Sequence, residues 1–113
     1  MDIFRGQIYF CSFGETKDHR SQGTRPVLVV QNDIANKYSP TITVAPITSR
    51  CHKKLRPTQV EIAPLDSGLY CTSRVLCEQI VTVDREKLRN YVGEVKEEAM
   101  AQINFALRKS LGI

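Results

Sequence analysis

Gly23-Thr24-Arg25-Pro26-Val27-Leu28-Val29-Val30-Gln31-Asn32-Asp33 is the stretch on which the fold turns. Pro26 disfavours the helical region for the residue before it, so Arg25 is extended. Proline itself is tolerated at the first position of a strand, where no ladder donor is needed. Four apolar residues follow, Val27, Leu28, Val29 and Val30, three of them β-branched. Such a run reads as a strand buried on both faces rather than as a helix. The reading sets a charged side chain, with its backbone fixed, at the rim of a core strand. That is a suitable place for an arginine that meets a phosphate, and equally for a surface arginine that closes a strand end.

Outward from this strand, the chain divides by period and by charge. Gly6 precedes Gln7-Ile8-Tyr9-Phe10-Cys11-Ser12-Phe13, a first strand rich in aromatic residues. Residues 14–24 contain no large apolar side chain and form a polar loop leading into Arg25. Residues 34–40 make a connection that ends at Pro40, and residues 41–48 make the next strand. Pro46 inside that strand implies a bulge or an edge. Gln59-Val60-Glu61-Ile62 is a further short strand, residues 64–68 a turn, and residues 73–83 two strands or one bent strand. Asp84 is placed to cap a short helix over residues 84–88. Ala99, Ile103, Ala106 and Leu107 recur at helical spacing, with Glu94, Glu97 and Glu98 at the start, Arg108 and Lys109 in the last turn and Gly112 past the end. Short strands closed by one helix predict a single α+β domain over residues 1–113, mostly an antiparallel, barrel-like sheet.

Composition excludes several classes. The chain has 113 residues, is 42% hydrophobic and 25% charged, and contains no apolar run long enough to span a membrane. Its N-terminus lacks the shape of a signal peptide, which predicts a cytoplasmic protein. Cys11, Cys51, Cys71 and Cys77 leave open two disulfides or a zinc site with His52. With no Cys-x-x-Cys pair, and no spacing typical of zinc sites, buried reduced thiols are the expectation. The net charge of +4 is uneven: residues 1–58 hold nine Lys/Arg against four Asp/Glu, residues 59–113 seven against eight. One face is thus suited to a polyanion. The most basic stretch, Arg50-Cys51-His52-Lys53-Lys54-Leu55-Arg56-Pro57, reads as a phosphate-contacting loop or as a solvated turn.

Several segments together resemble the MazF/PemK toxins. They are Arg5-Gly6-Gln7-Ile8-Tyr9-Phe10, the Arg25–Asp33 run, Asn36-Lys37-Tyr38-Ser39-Pro40-Thr41, Ile47-Thr48-Ser49, Glu78-Gln79-Ile80 and the close over residues 104–112. The similarity runs in register from about residue 5 onward. It implies an SH3-like barrel, a homodimer, and a ribonuclease that cuts single-stranded RNA at short sequences without a metal or other cofactor. It also implies an acidic, partly disordered antitoxin that occupies the RNA groove. By position, Arg25 and Thr48 match the residues the family uses at the scissile phosphate.

The residues suit that chemistry. Attack by the RNA 2′-OH leaves a 2′,3′-cyclic phosphate and a 5′-OH, and needs in-line positioning, charge stabilisation and two proton transfers. Arg25 supplies a planar fork of donors but is effectively always protonated, so charge stabilisation is its first role. Thr48 offers a hydroxyl to a phosphate oxygen. Ser21, Gln22, Ser49, Lys53, Lys54 and Gln79 are the expected RNA contacts. His19 and His52 are exposed-loop histidines or acid–base groups. Relatives often carry a Gly-Ser-Glu-Gln-like run where this chain has Asp18-His19-Arg20-Ser21-Gln22, so base contacts in that loop do not transfer. Two other functions share the sequence features: an inhibitory toxin of this fold that binds DNA gyrase and cuts nothing, and a basic RNA-binding domain. Retention of both Arg25 and Thr48 favours the enzyme.

Overall fold

The computed structural model describes residues 2–13 and 23–113. Nine elements follow in order: β1 (Gln7–Ser12), β2 (Thr24–Val29), α1 (Asp33–Tyr38), β3 (Thr41–Thr48), β4 (Gln59–Ile62), β5 (Ser73–Leu76), β6 (Val81–Asp84), β7 (Leu88–Glu94) and α2 (Glu97–Leu111), with 3-10 turns at Pro64–Asp66, Cys77–Gln79 and Arg85–Lys87. The strands make one antiparallel sheet in the order β4-β5-β3-β2-β1-β7, and β6 pairs with the first half of β3. The α+β class is the one expected. The barrel is not closed by a ladder, because β4 and β7 end the path without pairing among the described residues. The turn after β4 bridges them by packing instead. A Cβ on Gly93 would lie 2.3 Å from the Ser67 carbonyl oxygen, so only glycine lets this turn settle on β7.

β2 is buried on both faces, as its apolar run predicts. Leu28 joins a core with Ile8, Ala45, Ile47, Val60 and Val75, into which α2 inserts Ile103 and Ala106. Val27 and Val29 face the other way, into a core with Tyr9, Cys11, Ile42, Val44 and Leu88. Val30 lies just past the strand and is half-buried. One face of α2 packs on the sheet and its last turn is closed by Gly112 in the left-handed region, at φ 72°. Glu97 and Glu98 occupy its first turn, whereas Glu94 belongs to β7.

The two prolines explain where the sheet opens. From Gly23 to Val29 the odd-numbered residues bond towards β1 (the amide of Phe13 donates to Gly23, that of Gly6 to Val29), and Val30 donates to Thr43, which sets the even-numbered ones towards β3. The donor that Pro26 lacks would therefore have pointed at β3. The β2–β3 ladder runs from Val29↔Val44 to Val27↔Pro46 and stops there. β2 nonetheless begins at Thr24, two residues earlier than expected, because its other edge stays paired with β1 as far as Ser12↔Thr24. Pro46 lacks its donor on the opposite edge of β3, where the partner changes from β6, last paired at Val44, to β5, first paired at Ile47. The expected edge at Pro46 is thus a change of partner within one strand.

Other local expectations divide. Residues 73–83 form two strands, separated by the 3-10 turn at Cys77–Gln79. Residues 34–40 contain a helix, capped by Asn32, whose side chain accepts from the Ala35 amide at 2.9 Å. The turn at Arg85–Lys87 starts at Asp84, but the Asp84 side chain makes no capping bond. β7 carries no readable period: Leu88 is buried, the next three residues are exposed, and its register against β1 shifts twice. Burial of the cysteines holds for Cys11 and Cys77 only. Cys51 is half-buried and Cys71 exposed, because both lie in connections that belong to neither core.

Candidate functional site

Past the last β2–β3 pair the strands splay, yet their register still sets neighbours. Continuing Val27↔Pro46 by two residues places Arg25 opposite Thr48. Thr48 pairs on its other side with Arg74 of β5, and Arg74 with Glu61 of β4. Directly opposite residues share a face of a sheet, so Thr48, Arg74 and Glu61 form one row across three strands, and Arg25 lies beyond its end on the strand next to Thr48. The sequence separates them by up to 49 positions, and the sheet brings them into line.

A cleft of about 420 Å³ opens over the first half of the row. Arg25, Pro26, Thr48 and Ser49 line it, together with Phe10, Ile47, Tyr70 and Cys71. Arg25 is half-buried, and its backbone is held by the pairing with Cys11. The Thr48 hydroxyl oxygen accepts from the Arg50 amide at 3.1 Å, which leaves its own proton to be donated. A guanidinium on a held backbone and a hydroxyl free to donate, lining one cleft, can both bind a tetrahedral anion.

Thr48 and Arg50 also border a second cleft of about 350 Å³, over the other half of the row. Lys53, Lys54, His52 and Arg56 line it, with Gln79 at the 3-10 turn. The sequence-predicted residues are therefore divided: Arg25, Thr48 and Ser49 in one cleft, Lys53, Lys54, His52 and Gln79 in its neighbour, joined at Thr48. His19, Ser21 and Gln22 lie outside the described residues.

Three residues of these clefts, Arg74, Glu78 and Tyr70, were not singled out by the sequence. Arg74 is 6% exposed, with Nε and Nη2 at 3.0 and 2.9 Å from the same Glu61 oxygen. Glu78 is the acid of the second cleft; Gln59 donates to it at 2.8 Å and Thr58 at 3.4 Å. Arg50 borders both clefts, and Tyr70 stands fully exposed at the mouth of the first. Arg74 had a signal, a cation at a position inside a short apolar strand; Tyr70 had none. Beside Glu78, burial and then the carboxylate's charge push the Cys77 thiol up to about 11, and burial raises Cys11 as well. Neither thiol ionises near neutrality, so neither serves as a nucleophile.

Known proteins share this architecture. The chain is 39% identical to endoribonuclease EndoA of Bacillus subtilis (strain 168) over 113 residues, covering all of this chain and 97% of that one. A solved mycobacterial endoribonuclease in complex with its cognate antitoxin superposes with a TM-score of 0.83 at 32% identity, over 98% of this chain and 96% of that one. MazF of Deinococcus radiodurans shares the fold at 23% identity and a TM-score of 0.80, over 100% and 99% of the two chains. The sequence model of the PemK-like, MazF-like toxins of type II toxin–antitoxin systems matches residues 4–111, so the chain belongs to that family.

Proposed function

We propose that this protein is a sequence-specific, metal-independent endoribonuclease that cuts single-stranded RNA, mRNA included, and is silenced by a cognate acidic antitoxin. The observation that carries the reading is the cleft that Arg25 and Thr48 line together, just past the end of the β2–β3 ladder. The full-length likeness to an endoribonuclease supports it. In the reaction, the 2′-OH loses its proton as its oxygen bonds to phosphorus, and the 5′-oxygen leaves and gains a proton. Arg25 stabilises the extra charge on the non-bridging oxygens and, being permanently charged, is not the base. Thr48 donates its hydroxyl to a phosphate oxygen and holds the line of attack. Lys53 and Lys54 neutralise flanking phosphates, while Ser49 and Gln79 contact the strand as it crosses the two clefts.

The same basic rim suits an antitoxin rich in Asp and Glu that takes the place of the RNA. A solved relative is seen with its cognate antitoxin, which supports this partner. The working form is a homodimer in the cytoplasm; no helix among the described residues is long and apolar enough to cross a membrane.

The test is incubation of purified protein with a long single-stranded RNA in EDTA, beside Arg25→Ala, followed by mapping of the cut ends. Discrete cuts bearing cyclic phosphate, lost in the variant, are expected. Intact RNA at high protein concentration would instead point to a toxin that acts by binding.

A further inference from the structure

Arg74 is a buried charge whose pairing does not account for it. Glu61 keeps 42% of its side chain exposed, and a pair so close to water stabilises little. What the guanidinium adds is a third contact, from Nη2 to the Cys51 carbonyl oxygen at 3.3 Å. Cys51 lies in the connection from β3 to β4, which supplies Arg50, Lys53, Lys54 and Arg56 to the second cleft. One side chain thus ties β5, where it originates, to β4 through Glu61 and to the basic connection through Cys51. It does so one strand away from Thr48, its partner in the ladder.

We infer that Arg74 is a positioning residue for substrate, holding the basic connection so that its cations stand in register with Thr48. The inference rests on the ribonuclease reading and adds to it how the second cleft is kept in place. Exposed lysines on a free loop lose ordering entropy when they bind a strand; a pinned loop has lost it already. Arginine is required because its fork meets two acceptors at once, whereas a lysine ammonium at this site reaches Glu61 as a single point.

The experiment compares wild type, Arg74→Lys and Glu61→Gln on an RNA oligonucleotide carrying one cut site, with hydrogen exchange followed over residues 50–56. Arg74→Lys keeps the charge and loses the arm to Cys51. Glu61→Gln keeps an acceptor for Arg74 and leaves the Cys51 contact alone. Arg74→Lys is expected to melt close to wild type, to raise KM about tenfold with kcat within about twofold, and to exchange faster over residues 50–56. Glu61→Gln is expected to keep the wild-type KM and loop protection. Wild-type KM and protection in Arg74→Lys overturn the inference. So do losses in both variants that track a lower melting temperature, since Arg74 is then a structural residue alone. If wild type leaves the RNA intact, the ribonuclease reading fails, and loop protection measured without RNA still decides the role of Arg74.

Discussion

The two clefts that meet at Thr48 are built in opposite ways. In the first, Arg25 and Thr48 project from strands whose backbones are fixed by pairing, and the cations are few. In the second, the cations are many, and they sit on a connection held by hydrogen bonds rather than by a ladder. Strand-borne groups can be placed to the fraction of an ångström that a transition state demands. Loop-borne charges attract a polyanion without needing that accuracy. Under the proposed function, the difference assigns placement and attraction to different parts of one groove.

Substitutions can break that division. Arg25→Ala is expected to lower kcat about a thousandfold while RNA binding, measured by filter retention, weakens only severalfold. If the loss lies wholly in KM, the first cleft merely attracts and the contrast collapses. Thr48→Val removes the hydroxyl but keeps the shape, and should lower kcat about thirtyfold, read in single-turnover cleavage. Paired Lys53→Ala and Lys54→Ala changes act on the other side. They should raise KM about tenfold, leave kcat within about twofold, and flatten the salt dependence of binding by about 1.4 in log–log slope.

The smallest effect concerns stability beside the second cleft. The Cys77 thiol is raised from its ordinary 9.0 to about 11 by burial, with Glu78 adding to the shift. The unfolded chain therefore gives up this proton first as pH rises. The contribution is fully present below about pH 9 and is lost through about pH 11, on the order of 2 kcal/mol. Chemical unfolding from pH 7 to 11 should show that decline, and Cys77→Ala should flatten it. Labelling with a thiol reagent should sharpen the same contrast, with exposed Cys71 in the first cleft modified well before Cys77.

Legibility followed burial. The Val27–Val29 run announced a strand with two dry faces, and the spacing of Ile103 and Ala106 announced the helix that covers one of them. β7 stayed hidden because its stabilisation comes from pairing with β1 and from a Tyr9–Tyr91 edge contact at 5.6 Å, not from an alternating apolar pattern. Residues at the site divided similarly. Arg25 and Thr48 were picked out by their places at strand ends and a family resemblance, and the sheet brings both to one cleft. Arg74 and Glu78 owe their positions to strand order and to a 3-10 turn, which no local window of sequence contains. The cysteines misled because Cys51 and Cys71 were given the burial of Cys11 and Cys77, though neither reaches a core.

The strands that carry Arg25, Thr48, Arg74 and Glu61 also set when the groove can form. These residues enter during synthesis in the order 25, 48, 61, 74, and the strand that carries Arg74 stands between those of Thr48 and Glu61. The core beneath is completed only when α2 delivers Ile103 and Ala106. Pairings so distant along the chain form late in folding, after their loop entropy has been overcome. A chain still emerging from the ribosome therefore carries the pieces of the groove without the groove. The groove is expected to form only once the last helix docks.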